Sequence, residues 1–324
     1  MRVLRDPLGK DEAPRGMVMS IGNFDGVHVG HQAVLRHVVE RARSLGTVSA
    51  AMTLDPHPTK ILRPHQAPML LTTLEQRLEL IERCGLELAL VVPFTRSLAA
   101  MEAETFVRDV LVQRLAVREV YIGKNFRFGT DRRGDVDLLM RMGQALGFTA
   151  AAAPIVEVDG KVVSSTRVRA AIAEGRVDEA WAMLGRALYA DGEVMIGERL
   201  GRRLGFPTLN IDVTNELHPG KGVYVTAVHI PSFRRTFPSV TNVGVRPTMY
   251  EDSTITIESH LLDFTADVYK EPVRLFFLHR LREEMLFPSA AQLMAQIRSD
   301  VETATLWFVK RPIETLDLVV RPGL

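Results

Sequence analysis

Two histidines three residues apart in a glycine-rich turn, Gly22-Asn23-Phe24-Asp25-Gly26-Val27-His28-Val29-Gly30-His31, are the first residues whose types and spacing suggest chemistry. The turn follows an apolar run, Val18 to Ile21, and opens an amphipathic stretch, His31 to Leu45. It therefore occupies a strand-to-helix corner, the place where open α/β sheets bind ligands. A spacing of three puts His28 and His31 on one face of the first helical turn, where free backbone N–H groups also favour phosphate. Both imidazoles can then donate to the same phosphate oxygens. Gly26 and Gly30 have no Cβ and let a nucleotide approach the backbone closely. Donors fixed where charge develops would support direct attack on the α-phosphorus of a nucleoside triphosphate, with no covalent intermediate. Read singly, either histidine would suit a surface or packing role.

Other segments carry polar groups at element ends. Gly123-Lys124-Asn125-Phe126-Arg127-Phe128-Gly129 places a carboxamide and two aromatics after the apolar run Val120 to Ile122, and by residue type the phenylalanines suit a core equally well. Val163-Ser164-Ser165-Thr166-Arg167-Val168-Arg169 offers hydroxyls and a planar guanidinium fork that suits pyrophosphate, or simply a polar helix start. Further on, Gly197 to Asn210 is dense in glycine and arginine, as a phosphate-binding turn would be. It lacks the GxxxxGK[ST] pattern of a P-loop, and neither HRD nor DFG occurs to indicate a protein-kinase fold.

These residues need a frame. Apolar runs at Val18 to Ile21, Val48 to Leu54, Leu88 to Val92 and Val120 to Ile122 alternate with helix-length segments at His31 to Leu45, Leu74 to Cys84, Ala103 to Leu115 and Val136 to Leu146. Strands alternating with helices predict a parallel, doubly wound sheet. After about Gly185 the texture changes to β-rich runs, Gly222 to Ile230, Thr254 to Leu262 and Val273 to Leu278, as in a compact antiparallel barrel. Ser289 is expected to cap a final helix running towards Thr305. The expected domains are residues 1–185, an α/β domain, and residues 186–324, a β-barrel with a terminal helix. A length of 324 residues suits two cores. Forty basic against thirty-nine acidic residues give a net charge of +1, without the excess expected of a protein that grips long nucleic acid. The lone cysteine, Cys84, excludes an intrachain disulfide and a cysteine-based zinc cluster. Without an evident export signal or membrane span, the expectation is a cytoplasmic protein of small-molecule substrates, acting without nucleic acid or membrane as a monomer or a transient oligomer.

The N-terminal motifs together resemble the HxGH nucleotidyltransferases, and within them the bacterial FAD synthetases. The resemblance implies phosphate contacts from Asn23, Gly26, Gly30, Ser165 and Thr166, and catalytic roles for His28, His31, Asn125 and Arg169, with Arg167 a second contact. Leu54-Asp55-Pro56-His57-Pro58 is similar to the family's FxPHP loop, with Leu54 in place of the phenylalanine, and implies flavin contacts from Pro56, His57, Pro58 and Phe126. In the C-terminal half, Gly201-Arg202-Arg203-Leu204-Gly205-Phe206-Pro207-Thr208-Leu209-Asn210 resembles the GRxLGFPTAN signature of riboflavin kinases, with Leu209 in place of alanine. That resemblance makes Thr208 and Asn210 ligands of Mg²⁺, as a hard, oxygen-seeking cation requires. It also implies phosphate contacts from Gly201, Arg202, Gly205, Lys221, Gly222 and Tyr224. Glu258, in Glu258-Ser259-His260-Leu261-Leu262-Asp263-Phe264, is implied as general base, and Arg282 neutralises phosphate or orders the flavin loop. Thr241 to Thr248 is similar to the family's NxGxxPT turn.

The expectation is a bifunctional enzyme that phosphorylates riboflavin to FMN and adenylates FMN to FAD, with ATP, Mg²⁺ and flavins as substrates and cofactors. An aminoacyl-tRNA synthetase relative would need a basic tRNA face, which the charge balance does not supply. A flavin sensor without kinase activity would be expected to lack Glu258, Thr208 or Asn210, and all three are present. A different phosphorylated acceptor in the N-terminal site is disfavoured only by the fused kinase signature.

Overall fold

The computed structural model describes residues 1–9, 11–196, 201, 205–246 and 254–320, the side chains of Arg246 and Thr254 excepted. The chain divides into two compact units, Met1–Ser165 and Thr166–Leu324.

In the first unit six parallel strands form one sheet: β1 (Arg2–Leu4), β2 (Val18–Ile21), β3 (Ser49–Asp55), β4 (Leu88–Pro93), β5 (Glu119–Ile122) and β6 (Thr149–Ala152). Their order is β1-β4-β3-β2-β5-β6, so the chain reverses direction across the sheet between β2 and β5. β2 and β5 are buried along their whole length, as strands covered on both faces must be. The helices are α1 (Val29–Ser44), α2 (Pro58–Leu62), α3 (Leu74–Arg83), α4 (Arg96–Ala99), α5 (Ala103–Thr105) and α6 (Val136–Leu146). α1 buries Val34, Leu35, Val38 and Ala42, one stripe at helical spacing. α3 starts in a capping box in which Thr73 and Gln76 satisfy each other's backbone N–H groups. Gly147, at φ +84°, closes α6 in the left-handed conformation.

The helix expected over Ala103 to Leu115 departs from α geometry. Beyond Thr105 it widens into a π-helix, Phe106–Arg114, that turns Val107, Val110 and Leu111 into the core and leaves Phe106 packed at its margin. π-turns concentrate near functional sites, and Phe106 here lines a cavity described below. β1, an edge strand of three residues, was too short to leave a periodic signal.

The second unit opens with α7 (Ser165–Ala173), which starts on the last residue of the first unit, and α8 (Val177–Leu184). Its centre is a closed antiparallel barrel, β10-β13-β12-β11-β14-β9. The strands are β9 (Leu188–Met195), β10 (Leu209–Val213), β11 (Gly222–Ile230), β12 (Arg235–Arg246), β13 (Thr254–Leu261) and β14 (Pro272–Arg282). Closure leaves no edge to pair with other chains. Inside, Thr226 hydrogen-bonds Ser239 at 2.8 Å and Thr241 at 2.6 Å, and Thr241 bonds Ser259 at 2.8 Å, so a row of hydroxyls crosses three strands fully buried. Ser289 accepts from Gln292 N and caps α9 (Ala290–Lys310), which extends one turn past the expected end.

The units meet twenty residues before the expected boundary at 185/186, because α8 lies against β14 and His279 hydrogen-bonds Asp178 at 3.0 Å. The intervening helices are thus packed with the barrel.

Candidate functional site

The signature turn between β2 and α1 is strained and clamped. Phe24 has φ +48° and Val27 φ +37°, a left-handed conformation that a β-branched residue adopts only under constraint. The constraint is visible. Asp25 is buried at 2% exposure, and its carboxylate accepts from Leu71 N at 3.0 Å, from Thr72 N at 3.2 Å and from Thr72 Oγ1 at 3.2 Å. Gly26 N donates to Thr72 Oγ1 at 3.2 Å, Gln32 Nε2 to Val27 O at 2.9 Å, and Ser165 Oγ to Asp25 O at 2.9 Å. Gly26 itself has φ +81°, and a Cβ there would lie 2.6 Å from Leu71 Cδ1.

This clamp sets the histidines. His28 is the N-cap of α1, its Nδ1 accepting from His31 N at 3.3 Å, which leaves Nε2 as its donor. The two rings stack at 3.7 Å with planes 15° apart, and Phe24 closes edge-on against His31 at 5.4 Å. A Cβ on Gly30 would press on the His28 ring at 3.2 Å, so the glycine makes the stack possible. His31 Nδ1 is buried with no hydrogen-bond partner among the described residues. Burial first, then His28 and the positive charge of Arg77, hold the His31 imidazole well below the usual histidine range. Desolvation thus favours the neutral form of the ring. Arg77, fully buried on α3, donates to Thr53 Oγ1 at 3.2 Å, and Thr53 Oγ1 donates to Asn23 O at 3.1 Å.

Beyond the carboxyl ends of β2, β3 and β4, and against the loop after β5, lies a cavity of about 1010 Å³. Asn23, His57, Pro58, Asn125 and Phe126 all line it. Pro56 is exposed beside it in sequence. Asn23 Nδ2 lies 3.0 Å from His57 Nε2, while His57 Nδ1 accepts from Thr59 N and caps α2. The Asn23 Oδ1 acceptor is buried and has no partner among the described residues. Met52, Leu54, Phe106 and Phe128 supply apolar wall, and Arg63, Arg127 and Arg132 supply positive charge. An apolar chamber with a few convergent polar groups is the form of a small-molecule site. Ser165 touches the signature turn as described, whereas Thr166 is exposed and Arg169 half-buried on α7 in the second unit.

The barrel gathers a second group. Asn210 on β10 and Asn242 on β12 both stand directly opposite Glu258 on β13. Cross-strand partners share a face, so the three side chains form one row. Neighbouring Ser259 points to the buried hydroxyl row, which puts Glu258 on the other face. His260 Nδ1 donates to Pro207 O at 2.7 Å and Phe206 packs edge-on against His260, which pins the stretch before Thr208 to β13. A cavity of about 320 Å³ opens there, lined by Thr208, Leu209, Phe264 and Tyr269 among others.

Among the described residues no three histidine, cysteine or acidic side chains come together as a metal site. The Thr208 hydroxyl and Asn210 carboxamide do fit Mg²⁺, which takes few protein oxygens and completes its shell with water and substrate phosphate. Lys221 is exposed and Gly222 starts β11. Tyr224 is fully buried, its hydroxyl donating to Gly220 O and its ring edge-on to Phe277, and burial pushes its phenol up. Arg282 is engaged: Nη2 lies 2.8 Å and Nε 3.1 Å from the Asp300 carboxylate on α9, while Nη1 donates to Glu283 O at 2.9 Å. Gly201 is half-buried and Gly205 exposed at φ +85°, and Arg202 lies outside the described residues.

Sequence reasoning passed over Asp25, Thr72, Gln32 and Arg77. Asp25 stood inside the quoted motif, but its partners are 46 and 47 residues away, out of reach of any local pattern.

Comparison with known proteins matches each half of the chain to a family. The FAD synthetase family matches residues 10–167 and the riboflavin kinase family residues 184–308. A bifunctional riboflavin kinase/FMN adenylyltransferase from Pseudomonas fluorescens is 41% identical over 290 residues, covering 90% of this chain and 92% of the relative. The protein of the same description from Escherichia coli (strain K12) is 36% identical over 309 residues, covering 95% and 98%. A solved chain from Streptococcus pneumoniae, described as a macrolide-efflux protein, superposes with TM-score 0.85 at 28% identity, covering 94% of this chain and 99% of that one. No helix among the described residues of the present chain is long and apolar enough to cross a membrane. With near-full-length relatives of that description at 41% and 36% identity, the chain belongs to the family of bifunctional riboflavin kinase/FMN adenylyltransferases.

Proposed function

We propose that the chain makes FAD from riboflavin in two steps, kinase chemistry in residues 186–324 and adenylyl transfer in residues 1–185. The observation that carries this reading is the presence in one chain of two unlike polar constellations, the stacked His28–His31 corner and the Asn210–Glu258 row, which we read as two phosphate-handling sites, the first consuming the product of the second.

In the kinase step the ribityl 5′-hydroxyl attacks the γ-phosphorus of ATP. The new O–P bond forms as the bond to the β-phosphate oxygen breaks and ADP leaves. Glu258 accepts the hydroxyl proton, and Asn210 opposite it, with Thr208, would hold a Mg²⁺ whose charge would neutralise the phosphates. Gly201, Arg202, Gly205, Lys221 and Gly222 cradle phosphate. Tyr224, read from the sequence as a phosphate contact, would act from its buried position by ordering the turn through Gly220, and Arg282, tied to Asp300 on α9, orders the segment after β14.

In the adenylyl step a phosphate oxygen of FMN attacks the α-phosphorus and pyrophosphate departs. His28 Nε2 and His31 donate to the oxygens that gain charge, assisted by the N-terminus of α1. Gly26 and Gly30 allow the close approach, and Asn125 contacts the reacting phosphates. Ser165, Thr166 and Arg169 hold the pyrophosphate moiety, with Asn23 as a further polar contact. The flavin occupies the large cavity against Pro56, His57, Pro58 and Phe126, whose apolar walls suit an isoalloxazine ring. We read the protein as cytoplasmic and confined to small-molecule partners, a monomer or a transient oligomer, acting on neither nucleic acid nor membrane.

The test is a time course of purified protein with riboflavin, ATP and Mg²⁺, with FMN and FAD resolved by chromatography. FMN rising first and FAD following is the expected result. FMN alone would leave the substrate of the N-terminal site open, and turnover of neither riboflavin nor added FMN would overturn the reading in favour of a flavin sensor.

A further inference from the structure

Arg280 on β14 has no part in the roles above, yet it is built into the turn that precedes β11. Its Nη2 donates to Lys221 O at 2.7 Å and its Nη1 to Glu174 O at 3.3 Å, so one guanidinium ties the Lys221–Gly222 turn to the α7–α8 connection. Two glycines make room for it. A Cβ on Gly175 would lie 3.0 Å from both Cζ and Nε of Arg280, and a Cβ on Gly222 would lie 3.0 Å from Nε and 3.3 Å from Nη2. The same turn is gripped by Gly220 N donating to Ile172 O at 3.0 Å and by the Tyr224 hydroxyl on Gly220 O. Arg280 Nε is buried with no hydrogen-bond partner among the described residues. A guanidinium with one N–H unsatisfied, in space cleared by two glycines, has been placed for what its fork holds.

We propose that Arg280 is a positioning residue for nucleotide binding in the kinase step, acting by fixing the carbonyl of Lys221 so that the Lys221–Gly222 turn is ordered before ATP arrives. The proposal rests on the reading of that turn as a phosphate contact. Charge-assisted bonds to backbone carbonyls are among the stronger single contacts, and a site organised in advance binds more tightly than one that must order on binding. In this role Arg280 acts through the Lys221 carbonyl and not by contact with phosphate or flavin.

The experiment compares wild type, Arg280→Met and Arg280→Lys in the full chain. It measures the KM for ATP and for riboflavin in FMN formation, kcat, the thermal melt, and protection of backbone amides 220–223 from hydrogen exchange by ADP with Mg²⁺. The expected result is a KM for ATP raised about tenfold in Arg280→Met, equivalent to ~1.4 kcal/mol. The KM for riboflavin should stay unchanged, amide protection should weaken, and Arg280→Lys should restore part of the ATP affinity. An unchanged KM for ATP in Arg280→Met, with wild-type amides still protected, would overturn the proposal and leave the reading of the turn standing. Equal rises in both KM values with a lowered melt would also overturn it, as the mark of a purely structural residue. No protection of amides 220–223 in the wild type would overturn the reading of the turn and the proposal with it.

Discussion

Replacing Asp25 with alanine should disable one reaction and spare the other. In the folded chain the Asp25 carboxylate is the acceptor for Leu71 N, Thr72 N and Thr72 Oγ1. The substitution leaves two buried backbone N–H groups without that acceptor, at about 1–3 kcal/mol each. Relief from burying a charge offsets part of this, for a net loss of about 3 kcal/mol. If the loss falls on the strained corner at Phe24 and Val27, the ratio of ordered to disordered corner drops about a hundredfold, and FAD formation from FMN falls by up to that factor. If it falls on the first unit as a whole, its melting transition drops by roughly 6–12 °C. FMN formation from riboflavin, measured chromatographically on the same sample, should stay within twofold and serves as the internal control. Asp25→Asn, which keeps one acceptor oxygen, should lie between. A variant whose FAD rate stays within threefold of wild type, with no change in melting, would show that the clamp does not hold the histidines.

His28→Ala should lower FAD formation by about 10²–10³-fold, the usual loss for one donor to a developing oxyanion, with FMN formation intact; loss of both activities in a folded variant would refute two independent sites. Glu258→Ala should do the reverse, cutting FMN formation about 10²-fold or more while supplied FMN is still adenylated; the same chromatographic assay decides it. The lowered His31 value carries a sign. Below about pH 6.5 the unfolded chain binds a proton that the folded ring refuses, so the stability of the first unit declines as pH falls from there towards the folded value. Melting curves between pH 5 and 8 should show this slope in wild type and a flatter one in His31→Gln; identical slopes would assign the effect to other groups.

What could be read in advance follows from the range of the forces involved. The runs Val136 to Leu146 and Gly222 to Ile230 coincide with α6 and β11, because burial on one helix face or along a whole strand repeats within a few residues. The His28–His31 pair was legible for the same reason, since three residues suffice to bring the rings together. Arg77 looked like one more charge in an amphipathic run, yet it is buried with its fork on β3, a contact across 24 residues. The π-turns after Thr105 were hidden because the apolar spacing of Val107, Val110 and Leu111 suits an α-helix just as well. The division at Ser165 lay beyond composition, since α7 and α8 have ordinary helical sequences and only their packing assigns them to the barrel.

The hydroxyl row inside the barrel has a bearing on the face it does not touch. Thr226, Ser239, Thr241 and Ser259 satisfy one another only in the observed strand register. A slip of one residue in β13 would turn Ser259 outward, drive Glu258 into the interior and strand the remaining hydroxyls without partners. The barrel thus proofreads its own alignment from within, and the position of Glu258 relative to Asn210 is guarded by side chains on the opposite, buried face.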